Sequence, residues 1–381
     1  MTDRIGVAVI GAGVAGRAHA HGYRSAGTVL GPGLPEVRLV SVADADEDLA
    51  RDAAARYGFE RADSGWQAVA GNGDVDVVSV VVANVLHRDI VTALAAEGKH
   101  VLCEKPLAAT IPDARAMIDA VERAGVIARV GFTFRRAPAI SALRDQIASG
   151  RLGRPVHFSG HYWTDYGCDP RAPISWRYRG GPGSGALADL GSHLTDVGEF
   201  LFGPVESVRG ATLATVVAER PVPLGHVVGH ARAAIGEDRE PVENDDWASF
   251  SLSFASGATG DLSVSRVAFG HPNTLKFEVF GEEGAAVFDA ARPGEFEIAT
   301  TGLAEDSRGF RRVTAGTTHP YLADGLAAGF VYQARAFLDE VAGREELPRC
   351  ASFAEGLHNL EVLDAAARSA AGDWAAVRVT G

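Results

Sequence analysis

Lysine is scarce in this chain: among 36 Lys and Arg residues, only Lys99, Lys105 and Lys276 are lysines. The bias toward Arg is compositional, but it makes each remaining Lys worth inspecting. Cysteine is scarce too. Cys103, Cys168 and Cys350 lie far apart and form no CxxC pair, which argues against a disulfide framework and a structural zinc site. Long apolar runs are missing, and the chain enters its first strand without a charged leader and an apolar core. Neither a transmembrane helix nor a secretory signal is therefore expected, and the chain reads as a cytoplasmic protein with no membrane partner. Positive charge is outweighed, with a formal net charge of −13 at pH 7. An acidic surface repels phosphate backbones, so nucleic acid is not expected as a partner. What is present is the composition of a folded protein, 46% apolar and 22% charged, which excludes disorder and a collagen-like repeat. A length of 381 residues allows two domains.

From Ile5 to about Gly131, short apolar runs alternate with Ala-rich stretches of helical periodicity. The runs are Val7–Ile10, Val37–Ala43, Val75–Ala83, Val101–Cys103 and Val126–Gly131. Continuous apolar strands such as Val77–Val82 suit a parallel sheet covered on both faces. Strand–helix alternation implies right-handed βαβ units. Residues 1–135 are thus expected to form an α/β Rossmann domain, a doubly wound parallel sheet. After about Pro138 the pattern changes. Residues 136–381 predict an α+β domain with an open, mainly antiparallel sheet for substrate binding and oligomerisation. Its strands are expected at Val156–Thr164, Trp247–Phe254, Gly260–Val267, Leu275–Phe280, Ala286–Phe288 and Glu295–Thr300. Helices are expected at Ala139–Ser149, Ala186–Leu201, Gly329–Val341 and Phe353–Ser369, and 353–369 is a candidate to pack back on the first domain. The stretch 218–244 reads as a surface loop. An open sheet leaves one face uncovered, and strands such as Ser249–Phe254 and Leu275–Phe280 carry apolar residues at alternate positions. Burying that face between subunits predicts a homodimer or homotetramer.

Gly11-Ala12-Gly13-Val14-Ala15-Gly16 follows the first strand and opens a helix. The glycines permit a tight turn, close backbone approach to a pyrophosphate, and close helix–strand packing. The helix N-terminus then stabilises phosphate charge. Asp44 ends the second strand, later after Gly16 than the usual spacing of about 20 residues; an inserted loop at Gly27–Pro35 absorbs the difference. Its carboxylate can accept both ribose hydroxyls of NAD, whereas a 2′-phosphate would meet its charge. Asp46, Glu47 and Asp48 suit a helix start, and no Arg appears before Arg51. NAD is therefore expected over NADP.

At Val101-Leu-Cys-Glu104-Lys105-Pro106-Leu-Ala the sequence resembles the Gfo/Idh/MocA family of oxidoreductases. The likeness continues in Gly131-Phe-Thr-Phe-Arg135-Arg-Ala-Pro138, Ser175-Trp176-Arg177, Gly183–Asp196 and Phe277–Gly284. These segments span most of the chain. The resemblance implies an N-terminal Rossmann domain, an open antiparallel sheet after it, frequent dimers or tetramers, and the oxidation or reduction of sugars and cyclitols. The run His161–Asp165, the Ser175–Arg177 segment and the insertion before Asp44 are most similar to the levoglucosan dehydrogenase branch.

The residues agree with that likeness. Glu104-Lys105-Pro106 lies at the carboxyl end of a buried strand, where ligands bind in doubly wound sheets. Pro106 biases Lys105 toward an extended conformation. Asp189 and His193, four apart in the Ala186–Leu201 helix, share one helical face and can address one small ligand. His has the pKa suited to taking a hydroxyl proton. Lys105, Asp189 and His193 are therefore the expected catalytic residues, with His193 as general acid/base, Lys105 on the reacting oxygen and Asp189 orienting the substrate. An Asp–His pair could also hold a metal, but no third ligand is evident, and none is expected. Asn84, His87 and Glu104 join Gly11, Gly13, Val14, Ala15, Gly16, Asp44 and Lys105 as expected cofactor contacts. Tyr162, Asp165, Trp176, Arg177 and His319 join the catalytic set as expected substrate contacts, with Tyr321 beside His319 in a capping loop. The expected partner is a polyol or sugar, and the expected activity is NAD-dependent hydride transfer at a hydroxyl-bearing carbon. Two rival readings are an NAD-dependent glycosidase of the same fold and a sugar-sensing regulator that has lost catalysis.

Overall fold

The computed structural model describes residues 4–30, 33–225, 234–301, 309–315 and 326–379. Strand β1 (Arg4–Ile10) buries Val7 and Val9 in one apolar cluster and Ala8 and Ile10 in another. A strand buried on both faces needs helices on both sides. The chain supplies them as α1 (Val14–Val29), β2 (Glu36–Ala43), α2 (Glu47–Tyr57), β3 (Arg61–Asp63), α3 (Trp66–Ala70), β4 (Val77–Val80), α4 (His87–Ala96), β5 (His100–Cys103), α5 (Ile111–Ala124) and β6 (Ala128–Val130). The strand order is β3-β2-β1-β4-β5-β6 with every pairing parallel, the order of doubly wound dinucleotide-binding sheets. Local chemistry sets the helix starts. Asp46 caps α2 through the Asp48 and Leu49 amides, and Thr110 caps α5 through the Asp113 amide.

The chain continues through α6 (Pro138–Ala148), β7 (Pro155–Trp163), a π-helical turn at Leu187–Gly191 and α7 (Ser192–Phe202). Then come β8 (Val205–Ala214), β9 (Glu219–Pro223), β10 (Ile235–Pro241), β11 (Trp247–Phe254), β12 (Thr259–Ser265), β13 (Thr274–Gly281), β14 (Gly284–Asp289), β15 (Glu295–Thr300) and β16 (Arg311–Thr314). The last elements are α8 (Leu326–Val341), β17 (Ala351–Ser352), α9 (Phe353–Ala371) and β18 (Val377–Arg378).

The chain divides at Arg136/Ala137 into two compact units, and Leu326–Leu360 belongs to the first. Helix α8, expected in the second domain, is thus part of the first unit. Its Ala334, Phe337 and Leu338 share a buried cluster with Val7, Val9, Tyr23 and Leu102. The reason is coverage, because this face of the parallel sheet would otherwise meet water. β17 extends the sheet by pairing antiparallel with β6, and Phe353 at the start of α9 lies in the opposite cluster with Ile10 and Val80.

In the second unit the sheet order among the described residues is β16-β15-β14-β13-β7-β12-β11-β8-β18, with only β7 and β12 parallel. The stretch read as a loop at 218–244 contains a two-stranded ribbon, β9 with β10. Stacked and edge-on rings of Phe158, Phe202, Phe254, Phe277 and Phe288 fill the core. The alternate apolar residues Phe250, Leu252, Phe254, Leu275, Phe277 and Val279 are buried within the unit. They are therefore not an uncovered face. The opposite parity, with Ser249, Ser251, Ser253, Lys276 and Glu278, is the more open one.

Candidate active site

In the first unit the turn after β1 is shaped by its glycines. Gly11 has φ of +106°, and a Cβ there would stand 2.1 Å from the Val81 carbonyl oxygen. At Gly16 it would stand 1.8 Å from the Gly11 oxygen, so the turn and the helix close on each other without room for a side chain. Gly13 differs: nothing lies within 4 Å of where its Cβ would be. That open space sits at the N-cap of α1, which has no side-chain cap and no acidic residue in its first turn. Free amides at a helix start, open space and no competing anion make a cradle for a pyrophosphate. Val14, next in the turn, is 75% exposed.

Asp44 stands just past β2. Its Oδ2 accepts from the Ala12 amide at 2.7 Å and its Oδ1 from the Asp46 amide at 2.9 Å. The carboxylate is thereby fixed to the glycine turn, and each oxygen keeps lone pairs for ribose hydroxyls. Arg51 is held by Glu47 and Asp48. Asn84 opens a short 3₁₀ turn whose Val85 and Leu86 are exposed apolar residues.

His87 takes a different place from that expected. It is 1% exposed, with Nε2 3.1 Å from the Val82 oxygen, Nδ1 3.0 Å from the Leu107 oxygen and Cys103 Sγ 3.3 Å from Nδ1. Burial lowers its pKa, and a neutral ring donates to one of these two carbonyls. His87 ties strand ends together instead of facing a ligand. Glu104 also turns inward, toward His19. Lys105 follows it at the end of β5, half-buried.

In the second unit, Asp189 lies in the π-helical turn and His193 in the first turn of α7; both are half-buried. π-helical turns inside helices recur at functional sites. Sequence reading expected an uninterrupted helix here. It also missed Tyr166, whose hydroxyl donates to Asp189 Oδ2 at 2.9 Å. Burial, and then the charge of Asp189, push this phenol well above its ordinary pKa, so it stays a donor. Tyr162 stands with its ring centroid 6.0 Å from that of His193, and its hydroxyl donates to Asn273 Oδ1 at 2.8 Å. Asp165 is half-buried just past β7. Trp176 is 57% exposed, an unusual state for a Trp used for packing, and the Arg177 guanidinium lies 4.3 Å from its ring centroid. His319 and Tyr321 lie outside the described residues.

A buried Asn244-Asp245-Asp246 run, also missed, holds these segments. Asp245 Oδ1 accepts from the Gly183 and Gly185 amides at 2.8 and 3.1 Å, and Oδ2 accepts from Leu187 at 2.7 Å. One carboxylate thus satisfies amides at the entry to the turn that carries Asp189. Asp246 Oδ1 takes Arg266 Nε at 2.7 Å, and Arg266 and Asn244 both donate to the Arg177 carbonyl. No signal in the sequence tied this run to the helix, because its partners are about 60 residues away. Among the described residues no cluster of metal-ligating side chains occurs.

Comparison with known proteins decides the family. Residues 5–132 match the oxidoreductase family with an NAD-binding Rossmann fold, and residues 140–287 match the Gfo/Idh/MocA C-terminal domain. Levoglucosan dehydrogenase of Pseudarthrobacter phenanthrenivorans is 36% identical over 97% of both chains. The chain belongs to the Gfo/Idh/MocA oxidoreductase family. Inositol 2-dehydrogenase of Rhizobium meliloti is 29% identical over 97% of this chain and 98% of its own. A solved levoglucosan dehydrogenase, in complex with NADH and levoglucosan, superposes with a TM-score of 0.88 at 34% identity, covering 99% of this chain and 100% of that one. The first unit of this Gfo/Idh/MocA protein is its NAD-binding domain, and the Gly13 cradle with Asp44 fits that cofactor.

Proposed function

We propose that this chain is an NAD-dependent dehydrogenase that oxidises a hydroxyl-bearing carbon of a sugar, anhydrosugar or cyclitol, with levoglucosan the first substrate to test. The observation that carries the reading is the half-buried Asp189–His193 pair in a π-to-α junction, with Tyr166 donating to the Asp. His193 takes the hydroxyl proton of the substrate, and Asp189 orients the substrate through neighbouring hydroxyls. Lys105 hydrogen-bonds the reacting oxygen and offsets developing alkoxide charge. NAD, when bound, supplies the hydride acceptor. Its ribose hydroxyls fall to Asp44, which favours NAD over NADP. Trp176, with Arg177 on its ring, together with Tyr162 and Asp165, lines the substrate's surroundings. The full-length likeness to levoglucosan dehydrogenase supports the anhydrosugar. NADH formation over a panel of sugars, anhydrosugars and inositols tests the reading. Turnover of levoglucosan or a close analogue is expected, and a panel without turnover overturns it.

Oligomerisation belongs to the same proposal. The open side of the second sheet carries Trp247 and Phe280 exposed, besides the stacked pair His161–Trp163. A second copy seated there would bury these rings among the serines of β11. Sedimentation at micromolar concentration should give a dimer or a dimer of dimers, and Trp247→Glu should shift it toward monomer. A wild-type monomer overturns this part.

A further inference from the structure

Four side chains of the first unit form one buried chain of hydrogen bonds. His19 and Tyr23 stand one turn apart on α1, Ser79 is in β4 and Glu104 follows β5. His19 Nε2 is 2.9 Å from Glu104 Oε1, His19 Nδ1 is 2.9 Å from Ser79 Oγ, and Ser79 Oγ is 2.8 Å from Tyr23 Oη. The donors can be assigned. An ionised carboxylate only accepts, so Nε2–H donates to Glu104. With a single ring proton, on Nε2, Nδ1 accepts from the Ser79 hydroxyl, which in turn accepts from Tyr23. Burial raises the Tyr23 phenol pKa, which keeps its proton in place.

The chain ends on Lys105. The second oxygen of Glu104 accepts the Lys105 backbone N–H at 3.1 Å. Gly131 leaves the carboxylate its space, since a Cβ there would stand 2.7 Å from Oε1. His19 itself is 2% exposed, with its ring edge-on to Phe330 of α8 at 5.3 Å. Helix α1 begins at the dinucleotide turn, so one run of donors links the turn's helix to the loop that bears Lys105.

We propose that His19 is a positioning residue for Lys105, acting through Glu104. The inference rests on the reading of Lys105 as the residue on the reacting oxygen. His19 fixes the Glu104 carboxylate, the carboxylate fixes the Lys105 amide, and the amide sets where the Lys105 side chain leaves the strand end. A residue that merely fills the core would affect stability when replaced and leave Lys105 where it is.

The three lysines make this measurable. Full-length protein labelled with ¹⁵N-lysine gives three backbone amide cross-peaks, for Lys99, Lys105 and Lys276. In His19→Leu the Lys105 cross-peak should move while the other two stay. Turnover should fall about 10–100-fold, the scale of a displaced catalytic group, with NAD affinity unchanged. His19→Gln can still donate to Glu104 and accept from Ser79, so it should restore both readouts. If the Leu variant does not fold, Glu104→Gln replaces it, with the same expected peak movement at nearly constant shape. A Lys105 cross-peak that stays in place overturns the inference. So does wild-type turnover with the peak displaced when Lys105→Ala has lost turnover, or a defect confined to NAD affinity. If Lys105→Ala itself turns over normally while His19→Leu moves the peak, the catalytic reading of Lys105 fails and the positioning stands.

Discussion

Tyr166 Oη stands 2.9 Å from Asp189 Oδ2, across 23 residues of chain. Both side chains are half-buried, and the phenol is held protonated. A fixed donor on one oxygen sets the orientation of the Asp189 carboxylate. The relationship turns a lone acidic residue on a helix into an oriented acceptor.

Tyr166→Phe removes that donor and little else. A hydrogen bond to a charged group is worth about 1.5–3 kcal/mol, which corresponds to about tenfold or more in rate. We expect kcat/KM to fall by about tenfold in steady-state assays with the melting temperature close to wild type. An unchanged kcat/KM refutes the orienting role.

His193→Ala should lose about 10²–10⁴-fold in kcat and keep NAD binding, because the Gly11–Gly16 turn and Asp44 are untouched. Lys105→Ala should lose kcat too, with partial rescue by added primary amines. In the wild type, kcat/KM should fall at acid pH, since a protonated His193 cannot take the hydroxyl proton. Near-normal kcat in His193→Ala, measured by stopped-assay or continuous NADH formation, sinks the assignment.

Asp44→Ser should narrow the preference for NAD over NADP. It removes the charge that a 2′-phosphate would meet, and it weakens the hold on the Ala12 amide. NAD affinity should therefore fall as well. The check is kcat/KM with each cofactor; a wild-type preference for NADP would contradict the charge argument.

His87 predicts the sign of an acid effect on stability. Burial lowers its pKa below 6.5 in the fold, so the unfolded chain binds a proton that the folded chain refuses. Stability from this group is complete above the unfolded value and is lost as pH falls from there toward the folded pKa. The melting temperature should therefore drop between about pH 7 and about pH 5, and less steeply in His87→Gln. Parallel slopes in the two proteins rule the contribution out.

The amino-acid sequence by itself determined what is local. Alternating apolar runs, the glycine turn and the caps at Asp46 and Thr110 act within a few residues, so the α/β order, the dinucleotide turn and the place of Asp44 beside it were legible. The Glu104-Lys105-Pro106 run was legible by family likeness. Only the tertiary structure decided which side chains meet from afar. Glu104 turns to His19 across 85 residues, and Asp245 reaches Gly185 across 60. Helix α8 joins a sheet whose parallel strands ended about 200 residues earlier, as the 211-residue Arg129–Glu340 pair shows. Likewise, period-two alternation marks two faces of β11 and β13 without saying which one the helices cover. The physical reason is the same in each case. Local propensity fixes backbone shape, whereas buried polar groups and apolar faces take whatever partners the completed fold brings within reach, and sequence spacing carries no record of that distance.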